Sequence, residues 1–126
     1  MASVRVMLVE DSRYTLTCLQ ALLKRMPDVS VVATARAGVE ALPLIQATEP
    51  QVLILDIKMP KMNGLELLDE LRKMNSPVEV IVLSFHQEDI WGQLAHEKGA
   101  VAYVPKDNGQ LFLDTLQQVI GNHASR

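Results

Sequence analysis

The stretch Gln51-Val-Leu-Ile-Leu-Asp56, continued by Ile57-Lys58-Met59-Pro60 and reaching Gly64, decides the fold. Five residues of near-continuous hydrophobicity have the composition of a strand buried on both faces, the habit of parallel sheets. Asp56 closes that strand, so one carboxylate is presented at its carboxyl end. In an open parallel sheet this is where ligands bind.

Working outward, apolar runs of strand length alternate with segments of helical period. Val4–Val9, Val29–Ala35, Gln51–Leu55, Val78–Leu83 and Ala100–Val104 read as strands. Leu16, Leu19, Leu22, Leu23 and Met26 recur at three- and four-residue steps, giving an amphipathic helix that Asp11 or Ser12 can cap and Pro27-Asp28 ends. A second helix begins near Gly38, where Pro43 predicts a late start or a kink. Further helices are expected over Gly64–Met74, Gln87–Lys98 and the segment carrying Phe112, Leu116, Val119 and Ile120. Repeated βα units imply a parallel sheet covered on both faces. Ser30 and Thr34 make the second strand the most polar, as at a sheet edge.

Length and composition exclude several classes. A chain of 126 residues with 48% hydrophobic content has one domain's worth of core, and we expect residues 1–126 to form a single domain. The formal charge of −3 argues against broad binding to nucleic acid. No apolar run approaches the roughly 18 residues needed to cross a bilayer, and no signal peptide is evident, so a soluble, cytoplasmic protein is expected. The single cysteine, Cys18, suits a reducing compartment and reads as a small buried or half-buried residue.

Acids and one lysine cluster at strand ends. Glu10 and Asp11 follow the first strand, Asp56 ends the third, Ser84 follows Leu83 on the fourth, and Lys106 follows the fifth. Each has an ordinary alternative: Glu10-Asp11 as a helix N-terminal charge pair, Asp56 as a cap for the loop that follows, Ser84 as a partner for a strand-end backbone group, Lys106 as an exposed loop lysine.

Taken together, Val9-Glu-Asp-Ser12, Leu55-Asp-Ile-Lys-Met-Pro-Lys-Met-Asn-Gly64, Leu83-Ser84, and Gly99-Ala100 through Tyr103-Val-Pro-Lys106 resemble the receiver domain of two-component response regulators over nearly the whole chain. The resemblance implies a flavodoxin-like (βα)5 α/β fold with a five-stranded parallel sheet of order 2-1-3-4-5. It implies that Asp56 accepts a phosphoryl group from a histidine kinase or phosphotransfer protein, assisted by Mg²⁺, for which Mn²⁺ can substitute. Asp11, Asp56 and the backbone carbonyl of Lys58 would then hold the cation, with Glu10 acting through water. Ser84 and Lys106 would contact the phosphoryl oxygens, and Tyr103 would be a rotating switch, unless it merely packs at the sheet edge. Such a protein catalyses only its own phosphorylation and dephosphorylation. It controls an effector domain or downstream protein through the face of its fourth helix, fifth strand and fifth helix, and a phosphorylation-linked homodimer is compatible with it. Trp91 is either a partner anchor on that face or a packing residue.

The chain departs from the family pattern where Phe85 and His86 follow Ser84, in place of a small residue. Phe85 is expected to shield the acyl phosphate from water, with Lys58 and His86 also shaping access. Pro105 precedes Lys106 and Asp107 follows it, which leaves the isomer of the Lys106–Asp107 peptide open. Two other functions compete with the switch. A phosphohydrolase with an aspartyl intermediate usually has a second Asp two residues after the nucleophile, where Lys58 stands here, and a non-phosphorylated docking module would not need every charged element. Val32-Ala-Thr-Ala-Arg-Ala-Gly38 resembles the receivers of chemotaxis methylesterases, and Lys106-Asp107 those of helix-turn-helix regulators.

Overall fold

The computed structural model describes residues 3–58, 62–84 and 89–124. Its elements alternate without exception: β1 (Val4–Val9), α1 (Arg13–Lys24), β2 (Val29–Ala35), α2 (Gly38–Thr48), β3 (Val52–Asp56), α3 (Gly64–Lys73), β4 (Glu79–Ser84), α4 (Asp89–Glu97), β5 (Ala102–Pro105) and α5 (Gly109–Ala124). The five strands are parallel in the order β2-β1-β3-β4-β5, the flavodoxin-like arrangement expected.

Side-chain alternation along the strands divides the core into two layers. Met7, Val9, Leu53, Leu55, Val80 and Val82 meet Ala41, Ile45, Leu67, Leu68, Leu71 and Ala95 of α2, α3 and α4. Their sequence neighbours Val6, Leu8, Val52, Ile54, Ile81 and Leu83 point the other way, onto Leu16 and Leu23 of α1 and Phe112, Leu116 and Val119 of α5. Every residue of β3 is buried, because helices cover both faces of the central strand.

β2 is an edge strand, as its polar residues predicted, and its pairing with β1 is interrupted. Val6 pairs with Val31 but Met7 with Ala33, so Val32 is passed over. At the other edge, β5 has only four residues.

Local chemistry sets several helix ends. The Ser12 hydroxyl accepts from the Thr15 amide at 3.3 Å and caps α1. The helix stops at Lys24, short of Pro27, because the Arg25 and Met26 amides turn back onto Leu22 and Leu23 in a tighter turn. Asn63 and Glu66 form a capping box that fixes the start of α3.

Two sequence expectations are corrected. Helix α2 starts at Gly38 and runs through Pro43 to Thr48, so the late start does not occur; core contacts of Ala41 and Ile45 hold the helix through the missing Pro43 N–H. Cys18 is exposed, since it lies on the solvent side of α1 while Leu16 and Leu23 face the sheet. Trp91, within α4, is half-buried against the core, the packing alternative.

Candidate functional site

Three acids converge at the carboxyl end of the sheet. Ligand oxygens of Glu10, Asp11 and Asp56 lie within 4.8 Å of one another, with Glu10 and Asp56 buried and Asp11 half-buried. β1 and β3 are adjacent, so the residues that follow their ends are brought side by side. Parallel topology thus joins acids 45 or more positions apart in sequence.

Lys106 enters this cluster from the end of β5. Its ammonium lies 2.6 Å from Oε1 of Glu10 and 3.1 Å from Oδ2 of Asp56. Both oxygens of Asp56 are held, because the Lys58 amide donates to Oδ1 at 3.2 Å. The other oxygen of Glu10, Oε2, accepts from the Ser12 amide at 3.1 Å. The Lys106 amide in turn donates to the Ser84 carbonyl at 2.8 Å, which ties the lysine loop to the end of β4. Ser84 is buried there, one position beyond Leu83, the partner of Asp56.

Burial dominates the electrostatics of Glu10. It pushes the carboxyl from 4.5 up to about 7, helped by the Asp56 charge and opposed by Lys106 and the Ser12 amide. For Lys106, burial works against the charged form, yet Glu10 and Asp56 together outweigh it and raise the ammonium above its ordinary value. Among the described residues all peptides are trans, Lys106–Asp107 included.

Close backbone packing fixes the loop after β3. A methyl on Gly64 would fall 2.8 Å from both the Asp56 carbonyl oxygen and Ile57 Cα, and the Gly64 amide donates to the Ile57 carbonyl at 2.7 Å. Only glycine fits this approach, which accounts for Gly64 at the head of α3. Tyr103 is half-buried on β5, with its ring against Gly92 of α4. Phe85 and His86 lie outside the described residues.

The family model of the response regulator receiver domain matches residues 6–117. The chain belongs to that family. This receiver is 35% identical over 104 residues to the nitrate/nitrite response regulator protein NarL of Escherichia coli K12, covering 81% of this chain and 47% of NarL. It is 34% identical over 113 residues to a protein-glutamate methylesterase/protein-glutamine glutaminase of Pyrococcus abyssi, covering 88% of this chain and 30% of the relative. The receiver therefore spans less than half the length of either relative. Among solved structures, the response regulator domain of Thermotoga maritima CheB superposes with a TM-score of 0.85 at 28% identity, covering 94% of this chain and 97% of that one. A DNA-binding response regulator of the LuxR family from Staphylococcus aureus gives 0.86 at 30% identity, covering 93% and 98%. Membership of the receiver domains of two-component response regulators is consistent with a phosphoacceptor switch, and the phosphohydrolase alternative is not favoured.

Sequence reading of the receiver missed two site contacts. Lys106 pairs with Glu10, and lies closer to it than to Asp56. Arg36, just beyond β2, donates to the Asp11 backbone carbonyl at 3.0 Å. An arginine after an edge strand carries no sequence signal of such a bond, because the acceptor is a main-chain atom 25 positions away. No described helix is long and apolar enough to cross a membrane.

Proposed function

We propose that Asp56 is the phosphoacceptor of this receiver and that Mg²⁺ binds beside it. The reading is carried by one observation: three carboxylates and a buried lysine share one pocket at the carboxyl end of the sheet, around the last residue of β3.

The residues fit the cation. Three carboxylates place ligand oxygens within 4.8 Å of one another, and the Lys106 ammonium paired with Glu10 and Asp56 offsets only part of their charge. Hard oxygen donors in this number suit Mg²⁺, with Mn²⁺ as a substitute. Asp11, Asp56 and the Lys58 carbonyl would hold it, and Glu10 would act through water. When bound, the cation neutralises the acids and stabilises charge on the transferring phosphoryl group.

The chain's own groups do the rest. The Lys58 amide and Lys106 grip the two oxygens of Asp56 and so fix the plane of the carboxylate. An Asp56 oxygen forms the new bond to phosphorus as the bond from phosphorus to the donor's histidine nitrogen breaks, and the imidazole leaves with its electron pair. Lys106 then follows the charge onto a phosphoryl oxygen, and the Ser84 hydroxyl donates to another. Those two movements draw the ends of β4 and β5 inward and allow Tyr103 to leave Gly92, which changes the face of α4, β5 and α5. The receiver catalyses only its own phosphorylation and dephosphorylation.

The partners proposed are a histidine kinase or phosphotransfer protein as donor and an effector domain or downstream protein as recipient, in the cytoplasm. The segment itself makes no direct contact with nucleic acid, and a homodimer linked to phosphorylation fits the same output face. Incubation with acetyl phosphate or beryllofluoride and Mg²⁺ tests the reading. A saturable change that Asp56→Asn abolishes is expected; an Asp56→Asn protein that takes up phosphoryl at the same stoichiometry overturns it.

A further inference from the structure

The β2–α2 turn supplies no acid to the pocket, yet it touches both loops that do. The Ala35 carbonyl accepts from the Glu10 amide at 3.0 Å. One residue later the Arg36 guanidinium donates to the Asp11 carbonyl at 3.0 Å. Two residues further on, Gly38 lies so close to the loop after β3 that a methyl there would fall 2.7 Å from the Met62 carbonyl oxygen and 2.9 Å from Met62 Cβ. Gly38 is buried, and Arg36 is exposed.

We infer that the turn Arg36–Gly38 is a positioning element for the metal pocket, clamping the Glu10-Asp11 loop on one side and the loop after β3 on the other. Charged ligands that repel one another do not hold their places unaided before a cation arrives. Asp11 is half-buried and lies two residues beyond the end of β1, so the sheet ladder no longer fixes it. Arg36 provides the missing restraint from the neighbouring strand's end, through one guanidinium N–H donated to the Asp11 carbonyl. Gly38 lets Met62, just ahead of α3, approach this turn closely. Partners of this kind, one step removed from the cation, set the orientation of the groups that bind it. The inference rests on the metal site proposed above, but its structural half does not need the metal.

Arg36→Met keeps the length of the side chain and removes its donors; Arg36→Lys keeps a cationic donor. Titration calorimetry with Mg²⁺ alone is expected to show roughly tenfold weaker binding for Arg36→Met, with partial recovery in Arg36→Lys and an unchanged melting temperature in the metal-free state. Metal-free amide exchange at residues 11–13 is expected to speed up in Arg36→Met. Gly38→Ala is expected to weaken Mg²⁺ binding by pushing the turn and Met62 apart. Wild-type Mg²⁺ affinity together with wild-type exchange in Arg36→Met overturns the inference. Absence of Mg²⁺ binding by the wild-type protein overturns the metal site instead, and the exchange result then decides the clamp by itself.

Discussion

The Lys106 ammonium lies closer to Glu10, at 2.6 Å, than to the proposed phosphoacceptor Asp56, at 3.1 Å. All three side chains are almost wholly removed from solvent. Removing one partner of a buried ion pair strands the other's charge, which costs about 3 kcal/mol or more. Lys106→Met is therefore expected to lose about 3 kcal/mol of stability at pH 8 without metal. Urea denaturation with and without Mg²⁺ checks this, and the deficit should shrink when the cation takes over the neutralisation.

Glu10 sets a pH dependence of unusual sign for a carboxylate. Its carboxyl rises from 4.5 to about 7 on folding, mainly through burial. Between those values the folded chain keeps a proton that the unfolded chain has released, so stability falls as pH rises through that window. The contribution is fully present below pH 4.5 and is lost above about pH 7. Its upper size is about 3 kcal/mol. Denaturation midpoints of metal-free protein at pH 5 and pH 8 should differ more in the wild type than in Glu10→Gln.

Tyr103 rests on a glycine inside a helix. A methyl on Gly92 would fall 3.3 Å from Cδ1 of that ring. Alanine in a helix interior gains about 1 kcal/mol over glycine, and this crowding is expected to cancel most of it. Gly92→Val, bulkier and poorer in helices, should displace the ring and lower stability by about 1–3 kcal/mol. Aromatic proton resonances of Tyr103 report the displacement directly.

The carboxyl end of α4 is fastened to α3 by two contacts. Lys98 meets both oxygens of Asp69 at 2.8 and 2.9 Å, and Arg72 donates to the Glu97 carbonyl at 2.9 Å. Exposed pairs contribute little energy, roughly 0.2–1 kcal/mol. The double variant Asp69→Ala, Arg72→Ala should accordingly melt close to wild type while amide exchange at residues 95–100 accelerates. Unchanged exchange there would mean that packing of Ala95 and Ala100 alone holds this end.

The sheet and the acid set were legible because both depend on short-range patterns. Near-continuous apolar runs such as Val52–Leu55 require burial on two faces, and a parallel sheet then delivers Glu10, Asp11, Asp56 and Lys106 to one end whatever lies between. Polar Ser30 and Thr34 placed β2 at the edge. Of the two outcomes expected at Pro43, the late start fails because tertiary contacts of its neighbours outweigh a missing hydrogen bond. Cys18 misled because a general preference for burial says nothing of which helix side a position occupies. The partnership of Lys106 with Glu10 and the bond from Arg36 to Asp11 were illegible for another reason: each depends on how loops settle against one another, and one of the acceptors is main chain, which no residue type advertises.

The passed-over residue Val32 bears on how copies of this chain behave when crowded together. A sheet edge is a row of unmet donors and acceptors onto which a stray strand can zip. With one extra residue in β2, that row loses its even spacing halfway along, so an incoming strand in register with Val29–Val31 falls out of step at Ala33. The opposite margin, four residues of β5 ending in a proline, gives little length to grip. Both margins thus give an incoming strand little regular edge to extend.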